Sequence, residues 1–315
     1  PADYVEAVRD GYRQRGEGGA AEPRTKLVNP DPAGMLTGYM AILPETGVMG
    51  GYQYAAGFGD VDAHFFLPLF DVESGAPIAL LDGASLNPFK TGAAGAVGAD
   101  ELARPDAEVV AVIGSGAQAK GQLRALSVVR ELATVNVYSP TKENRESFAA
   151  EMNRRYDDAA VGAVASSAAA VENADVVITA TTAPDPVFDG DRLEPGTHVT
   201  AMGQYHPKKR ELDHTTIERA TYVPDLRDRV SQDAGSFISA MEAGVVDEDD
   251  IHAELGEIVA GEAEGRTSDD EITVFDSGGT GIETTAGAYL LYQKAMERDL
   301  GTEIEFAPAS EALQG

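Results

Sequence analysis

The segment EVVAVIGSGAQAKGQLRAL, residues 108–126, constrains the fold more than any other stretch. Its apolar run up to Ile113 shows no alternation, as a parallel strand buried on both faces requires. Gly114 allows a tight turn, Gly116 lets backbone approach a ligand closely, and Leu123, Leu126, Val129 and Leu132 fall at helical spacing. A strand, a glycine turn and a helix in that order aim free N–H groups and a positive dipole end at one point, which suits a phosphate. The third glycine of the usual dinucleotide fingerprint is replaced by Ala119, still small enough for helix–sheet packing.

The same rhythm repeats around this loop. TVNVYS, AVGAVA, ADVVITAT, THVTAMG, ATYVPD and ITVFD read as strands separated by helical or turn segments. That predicts an α/β fold, a Rossmann-type doubly wound parallel sheet over residues 105–285. Ahead of it, DYVEAVRDGYR places Tyr4, Val5, Val8 and Tyr12 on one helix face. FFLPLFDVESGAPIALL reads as two strands about a turn, and KTGAAGAVGADELA as a helix of small residues. At the far end a long helix with Ile282, Ala286, Tyr289 and Leu290 on one face is expected to return to the first part, followed by a short strand at TEIEFAP. Residues 1–104 and 286–315 are thus expected to form one discontinuous α+β domain.

Composition removes whole classes of function. The chain has 315 residues, 53 Asp and Glu against 24 Lys and Arg, and a net charge of −29. Nucleic acid and anionic membrane repel such a surface. Its acids are dispersed and its apolar content is ordinary, so the charge reads as the solvated surface of a protein in a high-salt cytoplasm, where screening relieves self-repulsion. No stretch is long enough to cross a bilayer and no signal-peptide pattern is visible, so the expected address is cytoplasmic. There is no Cys, and the five His lack metal-ligand spacing, so no metal site is expected.

The loop therefore reads as a cofactor site, with Gly114, Ser115, Gly116, Ala117 and Gln118 around a diphosphate. The second strand ends at Ser139 with no acid to take a ribose 2′-hydroxyl, while Thr141, Lys142 and Arg145 suit a 2′-phosphate. NADP(H) is favoured on this reading, with NAD(H) as the other choice. Ala180, Thr181, Met202 and Gly203, at the ends of two further strands, complete the expected cofactor set.

The loop, KTGAAGAVGADELARP before it and TVFDSGGTGIE after it together resemble the ornithine cyclodeaminase/mu-crystallin family, which includes an archaeal alanine dehydrogenase and several ketimine reductases. GSGAQA matches that family's Gly-x-Gly-x-Gln-Ala fingerprint, and ERDLGTEIEF matches its C-terminal region. The resemblance covers nearly the whole chain. It implies a homodimer whose N-terminal part and C-terminal return form the substrate and dimerisation domain. It also implies that Arg24 binds a substrate carboxylate and that Thr91 contacts phosphate. The family's second substrate Arg falls on Lys90, its catalytic Lys on Met49 and its catalytic Asp on Tyr205.

The expected catalytic set is accordingly Arg24, Lys90 and Tyr205. Lys90 keeps the positive charge, without the planar fork, and is suited to bind a carboxylate or donate a proton. Tyr205 is suited to donate a hydrogen bond or proton to a carbonyl or imine. Met49 only packs, and His206 is expected at the surface. The expected activity is hydride transfer between NAD(P)(H) and the C–N or keto carbon of a small carboxylate substrate. Two alternatives remain at this point: an ornithine cyclodeaminase using NAD(H), and an NADP-binding protein of mu-crystallin type without turnover.

Overall fold

A computed structural model describes residues 1–312, so the last three residues of the expected 286–315 segment lie outside the described residues. The chain opens with helix α1 (Ala2–Gly16), where Val5, Val8 and Tyr12 recur at helical spacing and are wholly buried. An antiparallel meander follows: β1 (Thr25–Pro30), β2 (Ala33–Leu43), β3 (Val48–Ala56), β4 (His64–Asp71) and β5 (Pro77–Asp82), paired in sequence order. Side chains alternate across such a sheet. Tyr39 opposite Tyr52 and Thr37 opposite Tyr54 face inward, while Ile42 opposite Met49 faces outward. That outer face also presents Leu36, Met40, Phe66 and Leu80 to solvent.

Helix α2 (Asn87–Leu102) leads into the second layer system. Its strands are β6 (Val109–Ile113), β7 (Thr134–Tyr138), β8 (Ala160–Ala163), β9 (Val176–Thr179), β10 (His198–Ala201), β11 (Ala220–Pro224) and β12 (Ile272–Asp276). They pair in the order β11-β12-β10-β9-β6-β7-β8, every pair parallel. The connecting helices are α3 (Ala117–Val129), α4 (Lys142–Asn153), α5 (Ser167–Val171), α6 (His214–Arg219), α7 (Val230–Asp233), α8 (Gly235–Glu242) and α9 (Leu255–Val259). This is the doubly wound Rossmann sheet. Its order reverses between β6 and β9, which opens a crevice at their C-terminal ends.

Helix α10 (Gly281–Met296) leaves the C-terminal end of β12 and packs on α1, β2 and β3, bringing the chain back to the antiparallel sheet. The small residues of α2 let it pass close to its neighbours. A Cβ on Gly92 would lie 2.5 Å from the Gly121 carbonyl oxygen, and one on Gly121 would lie 2.2 Å from that of Pro88. The segment TEIEFAP is not the strand its sequence suggests. Residues 302–307 run outside any sheet, with Ile304 and Phe306 exposed, because no described strand lies alongside to complete a ladder. Among the described residues no helix is long and apolar enough to cross a membrane.

The α2–α3 contact gives a direct test. Gly121→Ala drives a methyl into the Pro88 backbone, so chemical denaturation is expected to show a loss of about 1–3 kcal/mol. Gly116→Ala adds a methyl that meets nothing within 4 Å, and its unfolding free energy is expected to stay within about 0.5 kcal/mol of the parent.

Candidate functional site

The first half of the site is the crevice at β6 and β9. Gly114 holds φ at +117°, and a Cβ there would lie 2.3 Å from the Ala180 carbonyl oxygen, so only glycine makes this turn. Gly116 caps α3 with no side chain of its own, and the space where its Cβ would be is open. The first N–H groups of α3 therefore face free space at the helix's positive end. Ala119 is fully buried where helix meets sheet. The Ser115 hydroxyl donates to that of Ser139 across the crevice at 3.0 Å. Thr91, on α2, lies against the Gln118 side chain and donates to the Asn87 carbonyl at 2.8 Å. These donors and this space fit the diphosphate of a dinucleotide.

The neighbouring strand ends hold the other expected residues. Thr141 caps α4, Lys142 is largely exposed 3.7 Å from Glu146, and Arg145 donates to the Ser139 carbonyl at 2.8 Å. All three lie beside Ser139. Across the switch point, Ala180 donates to the Ile113 carbonyl at 2.9 Å and Met202 to that of Thr179 at 3.1 Å. Sequence reasoning missed Glu211, which binds these two ends together. Its buried carboxylate accepts from the Thr179 hydroxyl at 2.9 Å and from the Thr181 and Gly203 amides at 2.7 Å each. Burial pushes its carboxyl up against the pull of those donors.

The second half lies where the Ser277–Thr280 loop joins β12 to α10. Arg229 is buried and holds three carboxylates: Asp225 at 2.6 Å, Asp276 at 2.7 Å and Asp233 at 3.0 Å. The amide of Gly279, with φ at +85°, donates to Asp225 at 2.8 Å. Burial, helped by Glu283 and Asp276, lifts Asp225 to about 6 despite the nearby guanidinium. The next ion pair is Lys90 with Glu283, 3.1 Å apart and both fully buried. Glu283 also accepts from the Thr280 amide at 2.5 Å, closing a capping box on α10. Burial works against the Lys90 ammonium, but Tyr39, Glu283 and Tyr52 outweigh it and hold the group above the ordinary lysine range.

Arg24 sits between these groups with its guanidinium stacked over Tyr39, 4.9 Å from the ring centre, and Tyr205, 4.3 Å away. Its Nη2 donates to the Gly278 carbonyl at 2.8 Å. Its Nε and Nη1 are buried and have no hydrogen-bond partner among the described residues, Asp233 being 3.9 Å off. Two unpaired donors on a buried guanidinium call for an acceptor such as a carboxylate. The point above Gly279 where a Cβ would be lies 3.5 Å from Arg24 Nη2 and 3.6 Å from both Lys90 Nζ and Glu283 Oε1. The three side chains converge there from before β1, from α2 and from α10.

The structure thus brings Arg24, Lys90 and Tyr205 together. Tyr205 stacks on Arg24 and stays 39% exposed. His206 is exposed beside it. Met49 lies on the outer sheet face, away from Lys90 and Tyr52, because its register partner is the outward Ile42. Glu283 was legible only as the TGIE capping box; nothing local in the sequence ties it to Lys90, 193 residues earlier.

The profile of the ornithine cyclodeaminase/mu-crystallin family matches residues 16–299. A Δ1-pyrroline-2-carboxylate reductase of Bacillus cereus is 37% identical over 239 residues, 76% of this chain and 73% of that protein. The Thermococcus litoralis Δ1-pyrroline-2-carboxylate reductase in complex with NADH and L-proline superimposes with a TM-score of 0.89 at 33% identity, covering 96% of this chain and 95% of that one. An archaeal alanine dehydrogenase dimer with bound NAD gives a TM-score of 0.90 at 30% identity, covering 97% and 95%.

The buried pair gives the prediction here. Glu283→Gln leaves the Lys90 ammonium uncompensated and is expected to cost about 3–5 kcal/mol in denaturant unfolding. The double variant Lys90→Met/Glu283→Leu, which removes both charges, is expected to recover most of that loss.

Proposed function

The chain belongs to the ornithine cyclodeaminase/mu-crystallin family, and on that basis we propose that it reduces the C=N or C=O carbon next to a carboxylate in a small substrate, using NAD(P)H. The observation that carries this reading is Arg24, a buried guanidinium with two unpaired donors at the C-terminal edge of the dinucleotide-binding sheet. Similarity to reductases and dehydrogenases of imino and amino acids supports it.

The residues divide the work. Gly114 to Gln118 hold the diphosphate, and Ala180, Thr181, Met202 and Gly203 border the reacting half of the cofactor. When bound, that cofactor supplies the hydride. Arg24 grips the substrate carboxylate, and the rings of Tyr39 and Tyr205 keep its plane fixed. Lys90 stays protonated because Glu283 faces it. It is therefore the donor to the substrate nitrogen or oxygen as negative charge develops there. Glu283 positions that ammonium, and Tyr205 closes the carboxylate pocket.

NADP(H) is the proposed cofactor, supported by Ser139, Thr141, Lys142 and Arg145 at the end of β7, where no acid stands. A homodimer is supported by the outer face of the antiparallel sheet, where Leu36, Met40, Phe66 and Leu80 are 43%, 66%, 57% and 53% exposed. A second copy of the chain covers that face on this reading. The acidic surface supports a cytoplasm rich in salt as its setting. A cyclodeaminase is the weaker reading, since Met49 points outward and Tyr205 is no carboxylate.

Assay of NADPH oxidation with Δ1-pyrroline-2-carboxylate, and with pyruvate plus ammonia, in molar KCl tests the reading. Lys90→Met is expected to lower kcat by about 10²–10⁴-fold, and Arg24→Gln to raise KM by at least about tenfold. Titration of nicotinamide fluorescence is expected to show tighter binding of NADPH than of NADH. Failure to bind either would overturn the cofactor assignment.

A further inference from the structure

We infer that the substrate carries one carboxylate and no other fixed charge, so that an imino or keto acid with an uncharged ring or alkyl body fits and dicarboxylates and diamino acids do not. This deepens the proposed reduction and rests on Arg24 being the carboxylate anchor.

The charges around the Ser277–Thr280 loop are nearly all matched. Four cations, Arg24, Lys26, Lys90 and Arg229, face four carboxylates, Asp225, Asp233, Asp276 and Glu283. Lys90 is taken up by Glu283 at 3.1 Å. Arg229 is taken up by the three aspartates at 2.6–3.0 Å. Lys26 donates to the Tyr205 carbonyl at 2.9 Å and to Asp233 at 3.4 Å. Among these described groups, only Nε and Nη1 of Arg24 are left buried without a hydrogen bond. These are the free donors of a single guanidinium, which takes one carboxylate.

A second carboxylate would find every other cation of the cluster already paired, and a second ammonium would find every acid already paired. Either would be desolvated with no counter-charge, which disfavours binding strongly. The remaining wall is aromatic. Tyr39 and Tyr52 lie 5.4 and 5.2 Å from Lys90 Nζ, and Tyr54 and Phe65 stack 4.3 Å apart on the same inner sheet face. Such a surface suits an apolar body. Charge at the reacting nitrogen is the exception: a protonated imine balances the incoming carboxylate and leaves the cluster neutral.

The test is binding to the full-length protein loaded with NADPH, read from nicotinamide fluorescence, with L-proline, L-aspartate and L-ornithine as probes. The expected result is that proline binds at least about thirtyfold more tightly than either of the others, the scale of discrimination set by an unmatched polar group. Arg24→Gln is expected to weaken proline by about 10²-fold, while Lys26→Met shifts it less than about threefold. Aspartate or ornithine binding as tightly as proline would overturn the inference, as would a large loss in Lys26→Met. Binding of none of the three would overturn it together with the anchor role of Arg24. The proposed reduction fails separately, if proline binds selectively yet is never oxidised with NADP⁺.

Discussion

Everything else in this site depends on the pairing of Arg229 with Asp225, Asp233 and Asp276. These groups are buried where the dielectric is low, so each is stable only in the presence of the others. Together they fix the Ser277–Thr280 loop, through the Gly279 amide on Asp225 and the Arg229 guanidinium on the Asp276 carbonyl. That loop in turn offers the Gly278 carbonyl to Arg24 and starts α10, which carries Glu283 to Lys90. Charge ties the two sheets at one corner, beside an apolar cluster that runs from Tyr39 and Leu69 to Val223 and Phe275. On the proposed reading, the substrate pocket is that corner.

The consequence for chemistry is preorganisation. Arg24 lies against two rings and Lys90 is kept protonated by a carboxylate that is itself capped. Neither has to move or lose solvent when a substrate arrives, which is the condition under which charged groups contribute most to a transition state. On the proposed reading, Lys90 with its partner Glu283 supplies the proton donor, and Tyr205 contributes its ring.

Much of this architecture was legible in sequence, and the limits have physical causes. Unbroken apolar runs and the Gly114–Gly116 turn specify parallel strands and a helix start through local geometry alone, and both are where the sequence places them. The small residues of α2 read as a helix, and its close approach to α3 emerged only in the fold. Arg24, Lys90 and Thr91 came from resemblance, since nothing local marks them. The charge cluster was hidden because Asp225, Arg229 and Asp233, four residues apart, look like an exposed helix face. Glu211 and Glu283 meet partners brought near only by folding. The outward turn of Met49 depends on the register of β3 against β2, which composition does not set. TEIEFAP alternates like a strand, but a strand requires a neighbour, and that is a property of the fold.

The central claim is hydride transfer onto a carbon held beside Arg24 and Lys90. Its most direct test is reaction of the protein with NADPH deuterated at C4 on the transferring face and Δ1-pyrroline-2-carboxylate, with mass spectrometry of the amino acid formed. The account predicts one deuterium at the α-carbon of proline and none from solvent at that position. Product without the label, or ammonia released from ornithine instead, would contradict it.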